Sequence, residues 1–334
     1  MLPPGKGEAP LVGRSHLRLI TWSWPATDDK YEDGRPAQER PRIGGPLKSP
    51  CRVSAVKLAT LRLGNRTTAA RIHEEDGEAV EVSAADVGAL LAQENWPQIA
   101  AGAAGTRHSL SDVGYAPLVP RPRKIVCVGL NYRAHLAEQG IKALPYPTLF
   151  AKFPSALTGA RDEITLPSVS HAVDWEVELA VVIGWPVRRV GEQDALNNVA
   201  GYAVLNDISM RDWQSRTSQF LQGKTFDRCT PLGPWLVTRD DPAVDEKGME
   251  LYCDIGNERV QRGNTSDLLF NVATLVSYIS QAMSLAPGDV IATGTPGGSG
   301  HFLEPKRYLR DGDLLVTGIV GLGECRNLCR AEAD

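Results

Sequence analysis

The feature that most constrains this chain is a run of short apolar segments with almost no helices between them. KIVCVGL (Lys124–Leu130), WEVELAVVI, AGYAVLND, GPWLVT, MELYCDI, DVIATG and DLLVTGIV follow one another, punctuated by Gly, Pro and Asp. Runs of this length, bounded by turn residues, read as buried strands. Only two segments have convincing helical spacing. One is roughly Tyr132–Gln139. The other is Ser266–Met283, where Ser266 or Asp267 is expected to cap the start and Pro287-Gly288 lies beyond the end. Strands without alternating crossover helices argue against a doubly wound nucleotide fold and predict a β-rich α+β domain.

Ahead of that body the text changes twice. Eight of the 23 prolines fall in the first fifty residues, beside Gly and mixed charge. Such a stretch buries too little apolar surface to offset its ordering entropy, so residues 1–50 read as an irregular extension. From 51 to 119, VSAVKLATLRL, TAARIH and EAVEVS suggest short strands, and Val87, Leu90 and Leu91 have helical spacing. This predicts a small N-terminal α+β subdomain, joined to a main domain over 120–334 by the proline-rich YAPLVPRPRK. A net charge of −4 without a dense Lys/Arg block excludes a nucleic-acid or anionic-membrane partner, and no apolar run is long enough to span a membrane. No secretory leader is apparent, and six scattered cysteines do not make a disulfide framework, so a reduced, cytoplasmic protein is expected.

The sharpest chemical signal is Asp174-Trp-Glu-Val-Glu-Leu-Ala-Val-Val-Ile-Gly184. Alternate strand residues share a face, so Glu176 and Glu178 project together while Trp175, Val177 and Leu179 face away. Two adjacent carboxylates repel unless a cation, a proton or water relieves them. An edge strand with a wet acidic face is one reading; a cation site is the other. Asp207, at the end of the next apolar run, adds a third hard oxygen ligand, a set that suits Mg²⁺, Mn²⁺ or Ca²⁺. No Cys/His grouping has zinc spacing, and Cys325 and Cys329 read as ordinary thiols. Arg211 and Gln214 would share a face of a turn, with Arg211 free to grip a carboxylate or merely to pair with Asp212. His135 and Glu138 are three apart on the first helix, as a solvated decoration or as an imidazole whose basicity a carboxylate raises. Lys152 and Lys224 stand among aromatic residues, either snorkelling to water or facing an anionic substrate. The loop GTPGGSG (Gly294–Gly300) lets backbone N–H groups approach an anion, but it lacks a P-loop ending.

In this order GLNYRAHLAEQG, DWEVELAVVIG, AGYAVLNDISMRDWQ, GKTFD, PLGPW, NTSDLLFNVATLVSYIS, LAPGDVIATGTPGGSG and GLGECRN resemble the fumarylacetoacetate hydrolase family, in particular its acylpyruvate hydrolase and hydroxyheptadienedioate isomerase-like branch. The resemblance covers about Lys124–Arg330. It implies a mixed β-roll catalytic domain, a homodimer, and Mg²⁺ or Mn²⁺ held by Glu176, Glu178 and Asp207. It also implies that His135 and Glu138 activate water from a lid helix. Arg211, Gln214, Lys224 and Thr295 match substrate-contacting positions, and Lys152 a lysine near the mouth of the site. Asp254-Ile-Gly-Asn257 departs from the usual hairpin tip, which alters a turn and not the chemistry.

The activity this implies is hydrolysis of a 2,4-diketo acid, of acylpyruvate or fumarylpyruvate type, to pyruvate and a carboxylic acid. His135 would deprotonate water, Arg211 or Lys224 would neutralise negative charge, and the ion would stabilise the departing enolate. The alternatives use the same enolate: an oxaloacetate-type decarboxylase, or an isomerase of 2-hydroxyhepta-2,4-diene-1,7-dioate. A non-catalytic, metal-stabilised binding protein is the reading from another class.

Overall fold

The structure is a computed structural model that describes residues 54–245 and 247–332. The expected extension over 1–50 lies outside the described residues. The apolar runs do become strands, in two main sheets. The larger has twelve strands. Its path runs from Arg107–Ser109 through Glu78–Glu81, Arg66–His73, Lys57–Leu63, Thr230–Thr238, Val199–Asn206, Val177–Ile183, Val290–Ala292 and Ile125–Gly129 to Thr148–Lys152. The second has five strands, in the order Glu258–Asn264, Glu250–Ile255, Leu314–Ile319, Gly323–Ala331, Ile164–Leu166. Pairing is mixed: most ladders are antiparallel, but Val290–Ala292 runs parallel to Ile125–Gly129, and Gly323–Ala331 parallel to Ile164–Leu166. This is a β-rich α+β architecture. The strands read as a small subdomain continue into the larger sheet, because Lys57–Leu63 pairs with Thr230–Thr238. No helix among the described residues is long and apolar enough to cross a membrane.

The acidic strand is central, flanked by Val199–Asn206 and Val290–Ala292, and all seven of its residues are buried. Its alternation is clean. Val177, Leu179, Val181 and Ile183 enter one core, and Ala180 and Val182, on the Glu178 side, enter another. A wet edge strand is therefore ruled out. The neighbouring strand carries Gly201 where a Cβ would lie 2.1 Å from the Val237 carbonyl oxygen, beside the irregular register between Tyr202 and Val204. Only glycine lets the backbones come that close.

One helix departs from expectation. Ser266–Met283 is not continuous: Thr265–Asp267 is a single 3₁₀ turn, and the helix is Val272–Ala282, capped by Asn271, whose Oδ1 accepts from the Thr274 N–H at 3.0 Å. The intervening chain is pulled extended by tertiary partners. Leu269 N–H donates to the Asn131 carbonyl at 2.7 Å, and Phe270 N–H to Asn131 Oδ1 at 2.8 Å. Asp267 caps a different helix: its Oδ2 accepts from the Ala134 N–H at 2.9 Å, at the start of Arg133–Glu138. Local propensity gives way to a cross-chain clamp that fixes the segment bearing His135.

A Gly201→Ala substitution is expected to lower unfolding free energy by about 1–3 kcal/mol, the usual cost of overpacking, read from the midpoint of urea denaturation at unchanged slope.

Candidate functional site

Glu178 lies within the central strand, Glu176 just before its first residue, and Asp207 directly follows the paired strand Val199–Asn206. Antiparallel register sets Val177 opposite Asn206, so the ends of two neighbouring strands carry all three carboxylates to one place. One oxygen from each lies within 4.8 Å of the others, and all three residues are buried. Asn206 steadies the pair of strands: its Oδ1 accepts from the Glu176 N–H at 2.8 Å, and its Nδ2 donates to Thr317 Oγ1 at 2.8 Å.

Three cations are interleaved with these acids. Lys224 Nζ donates to Glu176 Oε2 at 2.5 Å and to Asp207 Oδ2 at 2.8 Å. Lys152 Nζ donates to Asp207 Oδ1 at 2.5 Å and to the Ile208 carbonyl at 3.0 Å. Arg211 donates from Nη2 to Glu176 Oε1 at 2.6 Å, from Nε to Asp174 Oδ2 at 2.7 Å and from Nη1 to Gln214 Oε1 at 2.9 Å. Arg211 thus bridges Asp174 and Glu176, and its alternative partner Asp212 turns to Ser170 instead. Burial alone would raise the Glu176 carboxyl, but Arg211 and Lys224 outweigh it and hold it at about 2. Burial would likewise lower Lys224, and Asp207 and Glu176 push it up, so it stays an ammonium.

Glu178 is different. It is 1% exposed and accepts only the Gly294 N–H, at 2.8 Å, and no Lys or Arg pairs with it among the described residues. Burial, followed by the charges of Asp207 and Glu176, pushes its carboxyl well above the usual range. A buried carboxylate without a cation is costly. This residue set, all hard oxygens around an unrelieved acid, fits a divalent cation.

The second part of the site is on the helix Arg133–Glu138. His135 is 4% exposed, and its Nδ1 is 3.1 Å from Glu138 Oε2. The Phe302 ring joins the two parts: its centroid is 5.2 Å from that of His135, edge-on, and 5.6 Å from the Arg211 guanidinium. The loop Thr293–Gly300 joins them again. Gly294 reaches Glu178, and a Cβ at Gly297 would lie 2.7 Å from Glu138 Oε2. Thr295 is buried there, with its Oγ1 accepting from Gln261 Nε2 at 3.0 Å.

A model of the fumarylacetoacetate (FAA) hydrolase C-terminal family matches residues 124–330. The chain belongs to the fumarylacetoacetate hydrolase family. Oxaloacetate tautomerase FAHD2A, mitochondrial, of Homo sapiens is 46% identical over 215 residues, which are 64% of this chain and 68% of that protein. Among solved structures, the fumarylacetoacetate hydrolase of the psychrophile Exiguobacterium antarcticum superposes with a TM-score of 0.74 at 31% identity, covering 83% of this chain and 100% of that one. The 2-hydroxyhepta-2,4-diene-1,7-dioate isomerase of Mycobacterium marinum gives a TM-score of 0.70 at 30% identity, covering 84% and 100%. Family members therefore carry tautomerase, hydrolase and isomerase names.

Sequence reading set one residue in the wrong surroundings. Lys152, expected near the mouth, is 2% exposed and wedged behind Asp207, because its strand Thr148–Lys152 ends against the carboxylate cluster. It also passed over two organising residues. Asp174, fully buried, accepts from the Trp175, Gly300 and His301 N–H groups at 2.9, 2.8 and 3.1 Å as well as from Arg211. Gln261, from the second sheet, accepts from the Val177 N–H at 3.0 Å while donating to Thr295 and to the Pro296 carbonyl. Asp174 stood inside the acidic motif and its sequence offered a signal. Gln261, in the polar text ERVQRGN, offered none.

A mouth lysine would tolerate replacement within about ±0.5 kcal/mol. Lys152→Met is instead expected to cost about 3 kcal/mol of stability, because it strips a buried ion pair of one partner, measured by chemical denaturation of the metal-free protein.

Proposed function

We propose that this chain is a divalent-metal-dependent enzyme that interconverts the keto and enol forms of an oxaloacetate-type 2-oxo acid. The observation that carries the reading is the convergence of Glu176, Glu178 and Asp207 on one point, and the name borne by the human relative at 46% identity supports the choice of reaction. Glu176, Glu178 and Asp207 would hold Mg²⁺ or Mn²⁺. When bound, such an ion supplies Lewis-acid polarisation of a 2-oxo group and lowers the cost of enolate charge.

The chain's own groups account for the rest. Once a cation lets Glu178 ionise, it joins Asp174, Glu176 and Asp207 as a fourth negative charge against the three positive ones of Lys152, Lys224 and Arg211. A divalent cation turns that balance positive, which favours an anionic substrate. Arg211 is fixed by Asp174 and Gln214 and has N–H groups left over for a substrate carboxylate, a geometry suited to two-point grip. Gln214 borders that grip. Lys224 keeps its proton at Nζ, with two of its three N–H bonds committed to Glu176 and Asp207. Its third N–H can give a proton to C3 of the enol while the enol O–H proton passes to the amine so formed and restores the ammonium; the reverse direction retraces these transfers, so one proton moves between oxygen and carbon and none is gained or lost.

A second reading, hydrolysis of a 2,4-diketo acid, is favoured by the pairing of buried His135 with Glu138. His135 would take a proton from water and hydroxide would add to the distal carbonyl. The C–C bond would break with its electron pair left on C3 of the pyruvate enolate, and the proton would return there.

The decisive test is a panel read by NMR with the Mg²⁺- or Mn²⁺-loaded protein: oxaloacetate for keto–enol exchange and CO₂ loss, and acylpyruvates for pyruvate release. Accelerated exchange without pyruvate or CO₂ release supports the first reading, and pyruvate release from acylpyruvates supports the second. Turnover of neither class overturns both. Glu178→Gln is expected to weaken Mn²⁺ binding at least about tenfold by calorimetry, and Lys224→Met to slow exchange by about 100-fold or more.

A further inference from the structure

The ring of His135 has two nitrogens, and both are engaged. Nδ1 faces Glu138 Oε2 at 3.1 Å, and Nε2 lies 2.6 Å from the side-chain nitrogen of Gln139. An ionised carboxylate can only accept, so Nδ1 carries the proton and the lone pair sits on Nε2. That lone pair is the one a water-activating base must use, and the Gln139 amide donates to it. Were the amide turned over, its oxygen would require an N–H at Nε2, leaving an imidazolium with no lone pair at all. Either orientation denies Nε2 to water.

The arrangement follows from the backbone. His135 and Gln139 are four apart, and Gln139 closes the helix with its N–H donating to the His135 carbonyl, so the two side chains share a face. His135 is itself buried, with the Phe302 ring edge-on to it, whereas Gln139 is half-buried.

We infer that Gln139 selects the reaction: by occupying Nε2 of His135 it suppresses hydrolytic cleavage and leaves proton transfer as the outcome of the shared enolate. Gln139 is a positioning residue, acting through His135 and touching no reacting atom. The inference rests on the enolisation reading above, and it explains how a chain with an intact His135–Glu138 pair works as a tautomerase.

The test compares wild type with Gln139→Ala and Gln139→Leu, each metal-loaded. The ratio of pyruvate release from an acylpyruvate to keto–enol exchange of oxaloacetate is expected to rise at least tenfold in both variants, and adding His135→Ala to Gln139→Ala is expected to abolish the gain. A second readout needs neither metal nor turnover. Carbethoxylation of His135 by diethylpyrocarbonate, followed by mass spectrometry, is expected to run several-fold faster in Gln139→Ala, because that reagent attacks the unprotonated nitrogen. If the ratio and the modification rate both stay at wild-type values in variants that still exchange oxaloacetate, the inference is overturned. If wild type exchanges no oxaloacetate, the enolisation reading fails, and the modification rate alone still decides whether Gln139 masks His135.

Discussion

Everything in the site depends on burying four carboxylates among three cations at the ends of two adjacent strands. Asp174, Glu176 and Asp207 are each paired, through Arg211, Lys224 and Lys152, while Glu178 is held only by the Gly294 N–H. Charges taken out of water cost several kcal/mol each unless partners replace the lost hydration. The lattice meets that demand everywhere except at Glu178. The imbalance sets the centre apart from a structural ion-pair network, in which every acid would be satisfied, and is the feature that would suit it to a cation.

The sheet makes such a cluster possible. A central strand buried on both faces has no edge to solvate, so any carboxylate at its end is desolvated by its neighbours. Antiparallel register then brings Asp207 from the next strand to the level of Glu176, whose carbonyl accepts the Asp207 N–H at 2.9 Å. Two residues that are thirty-one positions apart in the chain become adjacent without any loop having to place them. Rigid strands hold the acids, and the short helices Arg211–Gln214 and Leu221–Lys224, packed together, deliver two of the cations. At their contact Gly223 abuts Gln214, which holds the end of the Arg211 guanidinium.

Much of this was legible in the sequence because it is written in local patterns. The period-two spacing of Glu176 and Glu178, the apolar run leading into Asp207, and the three-residue spacing of His135 and Glu138 each encode a shared face within one element. What escaped was set by tertiary partners. Ser266–Met283 has helical spacing throughout, yet Asn131 draws its first part extended and Asp267 is spent on another helix. Lys152 reads as a lysine between two aromatics, and nothing local tells that its strand runs into the acid cluster. Gln261 is one polar residue in a polar hairpin, and its role exists only because the second sheet meets the end of the acidic strand.

The glycine-rich loop shows how a correct physical reading can find an unexpected ligand. Its composition suggested backbone N–H groups able to approach an anion, and they do: Gly294 donates to Glu178 and Gly300 to Asp174, each at 2.8 Å. The anions are the protein's own. Between those two anchors Gly297 lies against Glu138, and Trp175 Nε1 donates to the Gly298 carbonyl at 3.2 Å. One short segment is therefore tied to the acid cluster at both ends and backs the His135–Glu138 pair in the middle. A side chain at Gly297 would displace the Glu138 carboxylate, the end of a flexible and exposed side chain, and so disturb its contact with His135 without touching the carboxylate cluster. Glycine here serves close approach between the parts, and the anion chemistry it permits is turned inward to hold the acids in place.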